Sequence, residues 1–147
     1  MFFYELCNGI IASDIIESYG GKLAELNDRA IHKLREILPP IILRENPVDL
    51  SFSGFDPKIL GEVIQTLSED DNVGLIMFIY ALASPNWSIS PNELGNAIRR
   101  SKKPVLVVYT SSLEDYELVK SFERKGVMIC DTLEYAAKIA AKIQRID

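Results

Sequence analysis

Apolar and polar positions along the chain follow two rhythms. From Gly9 to Tyr19, Ile11, Ile15, Ile16 and Tyr19 recur at helical spacing, and Asp14, Glu17 and Ser18 fall off that face. Gly20-Gly21 stops this helix, because glycine turns there at little steric cost. Before it, the apolar run Phe2 to Leu6 is expected to form a first strand. After it, Lys22 to Leu26 is expected to form a second, poorer one. Asn27 then caps a helix in which Ile31, Leu34, Ile37 and Leu38 repeat at three and four. Pro39 and Pro40 end it.

Between that proline pair and the next helix lies Glu45 to Gly54, "ENPVDLSFSG", following an extended segment, Ile41 to Arg44. Pro47 restricts Asn46 to extended backbone. Val48 and Leu50 can face inward while Asp49 points to the loop side, where it can accept nearby N–H groups in an Asx turn. Asp56 is the expected N-cap of the following helix, with Pro57 in its first turn and Ile59, Leu60, Val63, Ile64 and Leu67 on its buried stripe.

Val73 to Ala81, "VGLIMFIYA", is almost uninterruptedly apolar, as in a strand covered on both faces. Ser90-Pro91-Asn92-Glu93 has capping-box spacing and opens a helix running to Ser101. Pro104 to Tyr109 is a second central strand, Ser112 and Asp115 give another box-like start, and Val127 to Cys130 is a last short strand. Asp131 and Glu134 open a final helix with Leu133, Ala137, Ile139, Ala140 and Ile143 on its apolar side. Strands separated by helices imply right-handed βαβ units. With about five strands and five or six helices, the expected class is α/β: a three-layer, flavodoxin-like open parallel sheet with helices on both faces. A single domain over residues 1–147 is expected, since no linker or repeat interrupts it.

Composition narrows the function classes. The hydrophobic fraction of 48% and charged fraction of 25% suit a globular core. A net charge of -5 argues against a nucleic-acid partner, which needs a basic face. No apolar run reaches the roughly 18–20 residues of a membrane span, so no membrane association is expected. Cys7 and Cys130 have no metal or disulfide spacing and read as reduced thiols in a cytoplasmic protein.

Ligands of an open parallel sheet bind beyond the carboxyl ends of its strands. The loops there are Cys7 to Gly9, Asp49 to Gly54, Leu82 to Ser90, Thr110 to Ser112, and Asp131-Thr132. None holds a nucleophile beside a base. The single histidine, His32, lies on the polar side of a helix between Arg29, Lys33 and Arg35, so no catalytic residue and no metal site is expected. The phosphate loops GxxxxGK[ST] and GxGxxG are absent. Asn8-Gly9 before a helix could offer N–H groups to an anion, and equally could be a plain N-cap and turn. Arg99, Arg100, Lys102 and Lys103 suit the negative end of a helix dipole. Trp87, in "SPNWSIS", suits a sheet edge or an interface.

Taken in order, "NGIIASDIIESYG", "KLREILPP", "NPVDLSFSG", "EDDNVGLIMFIYA", "KKPVLVVY" and "KGVMICDTLEYAAKIAAKI" resemble the second flavodoxin-like subdomain of NDP-forming acyl-CoA synthetases, the superfamily of succinyl-CoA synthetase and the ADP-forming acetyl-CoA synthetases. The resemblance runs from about Asn8 onward. It implies a component of an enzyme that converts acyl-CoA, phosphate and NDP to acid, CoA and NTP through a phosphohistidine on another subdomain. It implies that Asn8, Gly9 and Ile10 form a helix N-terminus for the phosphate or phosphohistidine, with Asn46, Asp49, Ser51, Ser53 and Gly54 on the adjoining loop and subunit contact. No cofactor is implied for this chain itself; phosphate, CoA and ADP/ATP belong to the full assembly. The implied partners are the phosphohistidine/CoA-binding and ATP-grasp domains or subunits, and the isolated chain is expected to be inactive. Association with a second copy would compensate for a shortened first strand. Where the family carries a richer glycine stretch, this chain has "ELCNGI", Glu5 to Ile10. That substitution favours an alternative function, a degenerate, non-catalytic interaction or regulatory module. A free-standing sensor of CoA or nucleotide is a third reading, with no residue pattern behind it.

Overall fold

A computed structural model describes residues 4–40, 45–80, 89–109 and 116–143. Side chains are described from Cys7 onward, except that of Tyr116. The elements in order are α1 (Tyr4–Ser18), α2 (Asp28–Ile37), a 3-10 turn (Ser51–Phe55), α3 (Pro57–Ser68), β1 (Ile76–Tyr80), α4 (Pro91–Arg99), β2 (Val105–Tyr109), α5 (Tyr116–Arg124), β3 (Met128–Cys130) and α6 (Leu133–Ile143).

Local chemistry explains most of these boundaries. The Asn27 side chain accepts the Ala30 N–H at 2.8 Å and starts α2. Asp56 accepts the N–H groups of Lys58 and Ile59, with Pro57 in the first turn of α3. Ser90 and Glu93 form a complete capping box on α4. α1 ends in a Schellman motif: Gly20, at φ +75°, donates to Glu17 O, and Gly21 donates to Ile16 O. A Cβ on Gly21 would lie 3.1 Å from Ala141 Cα, so this glycine also lets the end of α1 approach α6. At α6 the Thr132 hydroxyl, rather than the expected Asp131, accepts an N–H of the first turn.

The described strands form one parallel sheet in the order β1-β2-β3. β1 pairs β2 from Ile76↔Val105 to Tyr80↔Tyr109, and β2 pairs β3 from Leu106↔Met128 to Val108↔Cys130. Side chains alternate between two helix layers. Ile76, Phe78 and Tyr80, with Val105, Val107 and Tyr109, meet Leu60 and Ile64 of α3, Leu94 of α4 and Phe122 of α5. Met77, Ile79, Leu106, Val108 and Cys130 meet Leu133, Ala136 and Ile139 of α6, against which α1 also packs. α2 packs outside α3 through Leu34, Leu38 and Val63.

The three-layer α/β, flavodoxin-like class expected from the sequence is the observed one. Two expected strands are not. Tyr4–Leu6 form the first turn of α1, while Phe2 and Phe3 lie outside the described residues. Lys22–Leu26 carries no ladder and runs as irregular chain. A run of about five residues is too short for periodicity to separate helix from strand, and pairing depends on neighbours the run does not contain. The expected segment Ile41–Arg44, the start at Ser112 and Asp115, and Trp87 lie outside the described residues. Among the described residues no helix is long and apolar enough to cross a membrane.

Candidate functional site

The loop from Asn46 to Gly54 is fixed from both sides. Val48 and Leu50 pack with Leu34, Leu38 and Val63. Asp49 turns the other way, and its Oδ1 accepts the Ser51 N–H at 2.8 Å, the Asx turn that the sequence suggests. That bond holds Ser51 at φ +46°, a left-handed backbone uncommon for a residue with a Cβ. The 3-10 turn follows, with Gly54 buried against Leu50. The Asn46–Pro47 peptide bond is cis. Asn46 Nδ2 donates to the Ala24 carbonyl at 3.1 Å and ties the loop to the irregular segment after α1.

α1 meets the same loop at Gly9. A Cβ there would come within 3.1 Å of Pro47 Cβ, so glycine permits the contact. Next to it a cavity of about 650 Å³ opens along β1, within the size range of ligand sites. Gly9, Asn46, Asp49 and Gly54 line it; Asn8, Ile10, Ser51 and Ser53 lie outside its lining. Glu25, Asp49 and Asp71 bring carboxylates to the wall and Lys22 brings an ammonium. The lining holds no histidine or cysteine.

Asn8, Gly9 and Ile10 do not stand at a helix N-terminus. Asn8 is the fifth residue of α1, and only the first four N–H groups of a helix lack an internal acceptor. At that depth in the helix their N–H groups have intrahelical carbonyls within reach. Ile10 is 49% exposed.

Other candidates fall where chemistry is quiet. His32 is exposed, 3.4 Å from Glu36 on its own helix. Cys7 is exposed, and Cys130 is buried in the sheet. Burial, and secondarily the charge of Asp131, push the Cys130 thiol pKa up, so it stays protonated and unreactive near neutrality. Lys102 reaches Glu69 at 3.8 Å. The loops 81–88 and 110–115, beyond the ends of β1 and β2, lie outside the described residues. One polar residue was not singled out from the sequence. Asp70, 1% exposed, accepts the Asn27 N–H at 2.8 Å and the Asn72 N–H at 2.9 Å, which joins the start of α2 to the turn before β1. Its only sequence signal is the Asp-x-Asn spacing of an Asx turn.

Fold and cavity together define an α/β unit of an open parallel sheet, without a catalytic pair among its described residues. The chain matches no protein-family model. It is similar to the alpha subunit of acetate–CoA ligase [ADP-forming] II of Pyrococcus furiosus, with 27% identity over 90% of this chain and 30% of the relative. Acetate–CoA ligase [ADP-forming] I of Archaeoglobus fulgidus is 35% identical over 48% of this chain and 10% of its own length. Among solved structures, a Pyrococcus horikoshii OT3 protein superposes with a TM-score of 0.79 at 24% identity, over 92% of this chain and 32% of that one. The dinucleotide-forming acetyl-coenzyme A synthetase 1 of Ca. Korarchaeum cryptofilum, solved also in complex with phosphate and ADP, gives 0.75 at 18% identity over 94% of this chain. The resemblance to ADP-forming acetyl-CoA synthetases thus holds in sequence and in fold. The chain spans less than a third of the length of these relatives.

Proposed function

We propose that this chain is one α/β unit of an NDP-forming acid–CoA ligase and works only beside the units that hold the phosphohistidine, CoA and the nucleotide. The observation that supports this reading is the pattern of coverage: 90% of this chain is matched to 30% of an ADP-forming ligase subunit. Its contribution is structural and interfacial. Asp49 and the Asn46–Gly54 loop shape one wall, and no described side chain is placed to attack or to shuttle a proton.

The position of Asn8–Ile10 inside α1 favours a second reading, an interaction module that keeps the ligase fold without a phosphate-binding turn. Acetyl-CoA formation from acetate, CoA and ATP separates the two. The purified chain alone is expected to give no turnover. Co-expressed with the remaining ligase units of its own organism, it is expected to be required for their activity. Turnover by the chain alone would overturn the first reading, and full activity of the other units without it would establish the second.

A further inference from the structure

Parallel connections gather the ends of several helices on one side of the domain. Each helix returns the chain from the carboxyl end of one strand to the amino end of the next, so α3, α4 and α5 all finish at the amino end of the sheet. That end is opposite the one where ligands of an open parallel sheet bind. The ends of α4 and α5 and the turns after them carry Arg99, Arg100, Lys102, Lys103, Arg124 and Lys125. Lys103 is partly exposed and the other five are exposed.

Packing of α4 on α5 joins the two turns into one patch. A Cβ on Gly95 would lie 3.4 Å from Arg99 Nη1 and 3.4 Å from Lys125 Cβ, so the guanidinium and the lysine stem meet over that glycine. The Ser101 hydroxyl accepts the Lys103 N–H at 3.1 Å and donates to the Lys103 carbonyl at 2.7 Å, which stiffens the turn that presents Lys102 and Lys103. Among the described residues Lys102 alone of the six has an ion-pair partner, Glu69 at 3.8 Å, and Arg29 competes for the same carboxylate at 3.9 Å. Helix dipoles account for Arg99, Arg100 and Arg124, at the ends of α4 and α5. Their effect fades within the last turn, and Lys102 and Lys103 stand past the C-cap Arg100. Like charges gathered this closely repel one another, and an anionic neighbour would offset that repulsion.

We propose that this patch docks a short acidic segment of a partner protein. Charge selects the partner's class. Six cations face one paired carboxylate here, yet the chain carries a net charge of -5, so the surface beyond the patch is strongly acidic. A long polyanion, whether nucleic acid or an anionic membrane, extends past the patch and meets that surface. A run of aspartate or glutamate carries a charge on every residue and stays within the patch. Arg99, Arg100 and Arg124 also supply planar forks that can hold carboxylates by two hydrogen bonds each.

Fluorescence anisotropy of a labelled hexaglutamate peptide with the full chain, at low ionic strength, tests this. Saturable binding is expected, weakened at least fivefold by Arg100→Glu and, separately, by Lys125→Glu. Lys58→Glu, in the first turn of α3 at the opposite end, changes the net charge equally and is expected to alter the affinity less than twofold. All three side chains are exposed, so the substitutions leave the core untouched. A single-stranded oligonucleotide of equal charge and vesicles of phosphatidylserine and phosphatidylcholine are expected to bind more weakly than the peptide. Absence of saturable peptide binding would overturn the proposal, as would an equal loss from Lys58→Glu, which would reduce the effect to net charge. Tighter binding of the oligonucleotide or the vesicles would overturn it in favour of a polyanion or a membrane.

Discussion

The described sheet has two edges, and they are built on different principles. β3 is three residues long, begins with a methionine that is 52% exposed, and runs between Lys125 and Asp131. Its shortness leaves little ladder for another chain to extend. β1 is five residues long, apolar throughout, and flanked by a cavity. One edge is made to end a sheet; the other keeps the pattern of a strand meant to have company on both sides.

Substitutions along the two edges would sharpen or break this contrast. The largest effect is expected for Phe78→Lys, which removes a half-buried ring packed against the α3–α5 layer and sets an ammonium there: a loss of about 3 kcal/mol in urea unfolding. Asp70→Ala, in the turn leading into β1, removes the acceptor of two N–H groups and should cost about 2 kcal/mol by the same measurement. Met128→Lys on β3 should change stability by no more than about 0.5 kcal/mol. Comparable losses from Met128→Lys and Phe78→Lys would abolish the distinction between the edges.

Much of the fold was legible because caps are local chemistry. Asn27, Asp56 and the Ser90–Glu93 box act within three residues of themselves, and each sits where the spacing placed it. The Asx turn at Asp49 belongs to the same class. Tyr4–Leu6 and Lys22–Leu26 could not be read this way, because a short apolar run becomes a strand only through partners elsewhere in the chain. The contact of Gly9 with Pro47 was legible only through the family resemblance, since 38 positions separate the two residues. Asp70 went unnoticed because aspartate is usually solvated, and only the assembled core shows it as buried.

Asp70 also bears on the order in which the molecule assembles. Its bond to the Asn27 N–H closes a span of 43 residues that includes α2 and α3. Such a closure loses chain entropy before it gains anything, so it is favoured only after the α2–α3 contact has shortened the effective loop. An interaction completed after the rate-limiting step is expressed in the rate of escape from the native state and scarcely in the rate of reaching it. Asp70→Ala is therefore expected to leave the refolding rate nearly unchanged and to speed unfolding, which stopped-flow refolding and unfolding in urea would check.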